Sequence, residues 1–252
     1  MIPQTDVIDI EADWRDRAAT TEDVAVDFRR FVNGLAEIDR LFNLWRTRIP
    51  VNGRDFRTPI DAAEAMRQST AFQSRYDEPP DIWPQMGWYY AASCVGAPPW
   101  PDAVDAQSLV SLHVGVTANM PWSNRISIRI SNVRFSAGSV WPTTELRRLV
   151  KLIVATWSPR AVSVLPAGYD RPFVADPKSG SGGRLLEPKI GWISYLHPDF
   201  ATKARLPDGM TIEALPEGGM IVSISEDPIA PRDPEQLRKM RAFEAAMRPL
   251  QS

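Results

Sequence analysis

Gly191-Trp192-Ile193-Ser194-Tyr195-Leu196, then Thr211-Ile212-Glu213-Ala214-Leu215 and Met220-Ile221-Val222-Ser223-Ile224, is the stretch on which the fold turns. Its first run is aromatic and β-branched and reads as a mostly buried strand opening at Ile190. The other two runs are separated by Pro216-Glu217-Gly218-Gly219, which has the length and chemistry of a hairpin loop. A linker through Arg205 and Pro207 joins the first run to the hairpin, and a helix is expected to begin at Asp233. That helix has a cap, a first-turn proline and Gln236 three residues on, in the manner of a capping box, and would bury Leu237, Met240, Phe243 and Met247.

Upstream, Val7-Ile8-Asp9-Ile10 is a short strand candidate, and Thr20 caps a helix with Glu22 and Asp23 in its first turn. Val24, Phe28, Phe31, Leu35, Ile38, Phe42 and Trp45 then recur at steps of four and three, which places all seven on one stripe of a long helix. Asn33-Gly34 is a candidate bend within it. Such a stripe has to lie on a sheet, because isolated helices of this length are marginal in water. A short helix from Pro59 to about Gln73 and an acidic, proline-rich turn at Asp77–Asp81 follow.

Three strands are predicted next: Gln85–Val95, Ser108–Thr117 with Val110, Leu112, Val114 and Val116 facing inward, and Arg125–Ile130, whose isoleucines alternate with Ser127 and Arg129. They read as an antiparallel meander with one wet face. A middle helix starts at Trp141-Pro142-Thr143-Thr144-Glu145, carries Leu146, Leu149, Val150, Ile153 and Trp157 as its apolar stripe, and stops at Ser158-Pro159. Ala161–Leu165 is a further strand. Residues 166–188 read as a loop, flexible by composition over 178–184. The expected architecture is α+β: a mixed, mostly antiparallel sheet with a long N-terminal helix, a middle helix and a C-terminal helix packed on it. The chain reads as one domain of 252 residues, with the 166–188 loop as its one seam.

Composition narrows the function classes. A hydrophobic fraction of 44% and a charged fraction of 24% are those of an ordinary globular protein, and a formal charge of −2 argues against a surface that binds nucleic acid directly. The single Cys94 can make no internal disulfide, the N-terminal residues lack a basic head and apolar core, and no run approaches the ~20 apolar residues of a membrane span. A soluble cytoplasmic protein is the expectation.

Catalytic chemistry is hard to find. Of the two histidines, His113 sits on the wetter face of a strand and His197 lies beside Pro198 at a surface; neither has a nucleophile placed for it by the sequence. There is no Gly-x-Ser-x-Gly elbow, no Cys or His pair at metal-ligand spacing, and Lys178 precedes its glycines, the reverse of a phosphate-cradling loop. Glu226-Asp227 could do acid/base work but occupy a turn, where solvated acids are the ordinary reading. Trp100 and Trp122, in proline-aromatic loops, are either lids over the sheet or rigid anchors of a protein interface.

Trp14-Arg15, the run Leu41-Phe42-Asn43-Leu44-Trp45, the Gly191–Leu196 tract, Leu206-Pro207, the hairpin and the acidic turn before the last helix together resemble the immunity protein 52 family of bacterial polymorphic-toxin systems. The resemblance covers the two ends of the chain. It implies an α+β protein of the cytoplasm that neutralises a cognate toxin by binding it, often a nuclease of the restriction-endonuclease type delivered by type VI secretion, with no catalytic residue, metal or cofactor. The contact candidates are Trp100 and Trp122 as buried aromatics, ringed by Asp102, Asp105, Glu226 and Asp227. Two alternatives stay open at this point: a small hydrolase or transferase using loop carboxylates, and an adaptor that takes peptides at a sheet edge.

Overall fold

The computed structural model describes residues 7–14, 19–39, 42, 45–47, 55–56, 88–95, 107–114, 124–131, 142–166, 169, 173–174, 184–185, 188–227 and 229–250. The expected helix at 59–73 and the acidic turn at 77–81 lie outside them. The strands are β1 (Val7–Trp14), β2 (Trp45–Thr47), β3 (Asp55–Phe56), β4 (Trp88–Val95), β5 (Gln107–Val114), β6 (Asn124–Ser131), β7 (Ala161–Pro166), β8 (Phe173–Val174), β9 (Arg184–Leu185), β10 (Ile193–Leu196), β11 (Thr211–Ala214) and β12 (Met220–Ser223). The helices are α1 (Thr21–Ile38), α2 (Thr143–Trp157), α3 (Pro198–Ala201) and α4 (Pro234–Met247).

Ten strands form one sheet in the order β11-β12-β10-β7-β1-β6-β5-β4-β2-β3, and every described pairing is antiparallel. The α+β class follows directly from this sheet and its helices. The meander β4-β5-β6 pairs as its alternation predicts, with Leu112 opposite Ile126 and Val110 opposite Ile128. β8 and β9 pair separately, inside the stretch expected to be loop.

β1 is longer than the four residues expected and runs through the middle of the sheet, between β6 and β7. Its Ile8, Ile10, Ala12 and Trp14 are buried, while Asp9, Glu11 and Asp13 lie on the other face. There Asp9 takes a two-pronged contact from Arg129 at 2.7 and 3.0 Å, and Lys189 reaches Glu11 at 2.9 Å and Asp13 at 3.2 Å. The acids that made this strand look short are thus the polar half of a central strand, each set against a cation.

α1 and α2 pack on each other, and α2 lies against β10 and β7. Trp157 at the end of α2 stacks on Trp14 (5.9 Å, 9°) and meets Phe31 of α1 at 4.6 Å. A Cβ on Gly34 would lie 2.4 Å from the Leu152 side chain, so this glycine lets α2 approach α1 closely here. The α1 start is as expected: Thr20 and Asp23 form a reciprocal capping box.

The long N-terminal helix is not. α1 stops at Ile38, because Asp39 turns extended (φ −154°, ψ 141°) and its N–H closes on Leu35 O. Phe42 is buried after a separate turn in which its N–H reaches Asp39 O, and Trp45 opens β2. At Phe42, therefore, burial continues past the helix without helical periodicity.

Around β10 each residue of the tract has its own role. Gly191 lies against β7, where a Cβ would be 2.4 Å from Val164 O. Ser194 Oγ accepts from Gly191 N (2.9 Å) and donates to Gly191 O (3.2 Å), which satisfies a hydroxyl with no solvent exposure. Trp192, 1% exposed, donates its indole N–H to Gln236 Oε1 on α4 at 2.9 Å and takes the edge of Tyr169 at 5.0 Å. Gln236 thus does not close a capping box: Asp233 Oδ1 accepts from Glu235 N and Gln236 N, while the Asp233 N–H goes to Ala230 O. Tyr195 is buried and lies against Gly219, whose Cβ would be 2.6 Å from its ring. In the hairpin loop Gly218 takes the left-handed conformation (φ +88°) that closes the turn. Leu196 leads into α3, a single turn within the expected linker, capped by His197 Nδ1 accepting from Asp199 N.

Candidate partner-binding surface

The six contact candidates fall on three stretches. Trp100, Asp102, Asp105 and Trp122 lie outside the described residues; Glu226 and Asp227 lie within them. The chain carrying Trp100, Asp102 and Asp105 joins the end of β4 to the start of β5. By strand register, the described end of β4 and start of β5 lie at the same end of the sheet as the end of β12, with β5 five strands from β12. The end of β5 and the start of β6, which flank the stretch carrying Trp122, lie at the opposite end.

The acidic turn is firmly built. Ser225 Oγ accepts from Asp227 N (3.0 Å) and donates to Asp227 Oδ2 (3.2 Å), and Thr143 Oγ1 at the start of α2 donates to Asp227 O at 2.6 Å. Arg147, one turn along α2, bridges two acids: its guanidinium reaches Glu226 Oε1 at 3.1 Å and Glu213 Oε2 at 2.8 Å. Lys151, a further turn along, holds the other oxygen of Glu213 at 2.5 Å. Arg147 and Lys151 stand four residues apart on one helix face, which is why both meet one strand. That spacing was visible in the sequence; the acids they serve were not. Glu226 keeps 62% of its side chain exposed, so the turn offers an anchored carboxylate to solvent.

The hydrogen bond from Lys151, helped by Arg147 and opposed by burial, holds the Glu213 carboxyl below the usual carboxylate range. A carboxyl with a depressed folded-state pKa contributes stability above its unfolded value of ~4.3 and loses it as pH falls through the folded value. Glu213→Gln is expected to lower the melting midpoint at pH 7 by roughly 2–4 °C. The gap to the parent protein should narrow as pH falls below about 4.3 and close as it passes through the depressed folded value. Melting curves of both proteins at pH 7 and pH 3 check this, and an equal gap at both would show that the ion pairs contribute nothing.

His197 is half-exposed and serves as the α3 cap, while Cys94 and His113 are placed in β4 and β5 opposite Ser108 and Arg125. Among the described residues no cluster of His, Cys, Asp and Glu has the arrangement of a metal site, and no helix is long and apolar enough to cross a membrane. What the described surface offers is charge and exposed backbone. Sequence reading foresaw β11 as a hairpin strand but not that it ends the sheet, where Ile212 is 54% exposed.

No family model matches the chain, and no curated protein matches it. Among solved structures it is similar to the Pseudomonas aeruginosa T6SS protein PA0821, with a TM-score of 0.53 and 9% identity over 95% of this chain and 73% of that one. At that identity the likeness is one of fold: the chain has the α+β architecture of a protein of the type VI secretion system.

Proposed function

We propose that the chain is a non-enzymatic immunity protein, which binds and neutralises the cognate toxin of a type VI secretion or related polymorphic-toxin system. The observation that carries this reading is the fold shared over 95% of the chain with a T6SS protein. The resemblance of its two ends to the immunity protein 52 family points the same way. The toxin is a restriction-endonuclease-like nuclease, met in the cytoplasm and held as a heteromeric complex, without nucleic acid or membrane taking part. Trp100 or Trp122 supplies the aromatic anchor, and Asp102, Asp105, Glu226 and Asp227 are the candidate acids of the contact.

The test uses the purified product of the gene neighbouring this chain's own. Nuclease activity that disappears at one equivalent of this protein is expected, with a Kd near nanomolar, roughly −12 kcal/mol. Trp100→Ala or Trp122→Ala should weaken binding by about 2 kcal/mol or more where the tryptophan is an anchor. Unchanged affinity in both variants, with circular dichroism intact, would take the tryptophans out of the interface. A neighbouring product that neither binds nor is silenced would sink the immunity reading.

A further inference from the structure

β11 ends the ten-stranded sheet on one side, with β12 as its only partner among the described strands. Leu215 N bonds Gly219 O across the hairpin at 2.9 Å. In an antiparallel ladder the bonding residues alternate, so Glu213 and Thr211 point their backbone groups at β12 while Ile212 and Ala214 point theirs outward. Protein edges are ordinarily blunted by proline, lysine, a bulge or a cover. Thr211-Ile212-Glu213-Ala214 has no proline and no lysine, and Ile212 and Ala214 are both exposed. Its one charge does not guard the edge, because Glu213 is taken up by Arg147 and Lys151 of α2. Those contacts pin the strand in place, so it is presented already ordered.

The surroundings state the charge of what would fit. From Leu206 to Asp227 the chain has five carboxylates and no cation. Asp208, Glu217, Glu226 and Asp227 are exposed, and they flank β11 at both of its ends. The two cations that reach the strand from α2 are both engaged by Glu213 or Glu226.

We propose that β11 is a docking edge that takes an extended, basic segment of a partner protein as an eleventh strand of the main sheet. Ile212 and Ala214 supply four outward backbone groups and an apolar surface, and the acids select for lysine or arginine on the incoming strand. The proposal rests on the immunity reading for the partner, since a nuclease carries a basic surface for its polyanionic substrate. It rests on the edge alone for how that partner is held.

The experiment has two arms. In the first, the full-length protein is titrated with a cyclic hairpin peptide whose outer strand reads Lys-Val-Lys-Val, and with its Glu-Val-Glu-Val counterpart. Amide exchange at Ile212 and Ala214 should be fast in the free protein and slowed by at least about tenfold with the basic hairpin, with no slowing by the acidic one. Ala214→Pro removes an outward N–H and no bond to β12, so it should weaken the basic hairpin at least about tenfold with the melting midpoint kept. Ile212→Lys should do the same by charge. No binding, protection elsewhere, or equal affinity in Ala214→Pro would overturn the docking edge.

In the second arm the neighbouring gene's product replaces the hairpin. If the parent protein and Ala214→Pro silence it equally, the immunity reading stands and the edge proposal falls. If the parent protein fails to bind it while the basic hairpin still docks at β11, the immunity reading falls and the edge remains a docking site for another basic partner.

Discussion

Gly191→Ala is expected to destabilise the protein by about 3–5 kcal/mol, enough to abolish folding of a domain of ordinary stability. The added Cβ would sit 2.4 Å from Val164 O, 2.8 Å from Val164 N and 2.9 Å from Val164 C. These are backbone atoms of β7, a strand paired on both sides, by β1 and β10, so they cannot swing away as a flexible side chain would. The clash would also push apart the Ser194 hydroxyl and the Gly191 backbone, which satisfy each other where no water reaches. Space alone is at issue, since Gly191 is not among the residues at positive φ. Gly218→Ala is the comparison. Its φ of +88° makes alanine strained there, but the nearest atom to the new Cβ is 3.6 Å away, so a loss of about 1–2 kcal/mol is expected. Urea denaturation of the two variants beside the parent protein separates the effects. Equal midpoints for Gly191→Ala and the parent would mean that the tract does not lie against Val164.

Trp192→Ala carries the second large effect, about 3–5 kcal/mol. The indole is a post on which three parts of the chain meet: Gln236 of α4 accepts its N–H, Tyr169 packs edge-on against it, and its own backbone bonds Val164 O and Ile224 N. Tyr169 is tied in turn to α4 through a hydrogen bond to Glu244 at 3.1 Å. Truncation would leave a cavity under α4 and remove one donor from Gln236 Oε1, which still accepts from Ala230 N. Trp192→Phe keeps much of the volume and loses the N–H, so a smaller loss of about 1–2 kcal/mol is expected. A soluble Trp192→Ala protein with the parent's melting midpoint would contradict the burial of this side chain.

These two residues also show how far the sequence could be read. The tract Gly191–Leu196 was legible as a buried strand because its residue types fit one, and burial of Trp192 and Tyr195 followed from that. The need for glycine at 191 was not legible, since the atom it makes room for belongs to Val164, 27 positions earlier in a different strand. In the hairpin the two glycines looked interchangeable. The structure gives Gly218 the backbone angle and Gly219 the close approach to Tyr195.

The candidate surface divides in the same way. Glu226 and Asp227 were visible as acids in a turn, and the turn is there. Their anchoring by Arg147 and Thr143 was not visible, because a salt bridge across 79 residues leaves no local pattern. The exposed edge of β11 was equally hidden, since a strand's neighbours on either side are a property of the assembled sheet.

What the sequence alone determined is whatever one turn or one strand of chain decides: the alternation of β5 and β6, the Thr20 and Asp233 caps, the stop of α2 at Ser158, and the α+β class. Each rests on residues a few positions apart, whose side chains share a face or a hydrogen bond. Tertiary structure decided where α1 stops, that β1 sits at the centre of the sheet, and which strand is left as an edge. The Phe42 and Trp45 positions fit a helical stripe, yet Phe42 is buried in a separate turn after the helix and Trp45 opens β2. Periodicity records which side chains must be covered; only the packed neighbours determine what covers them.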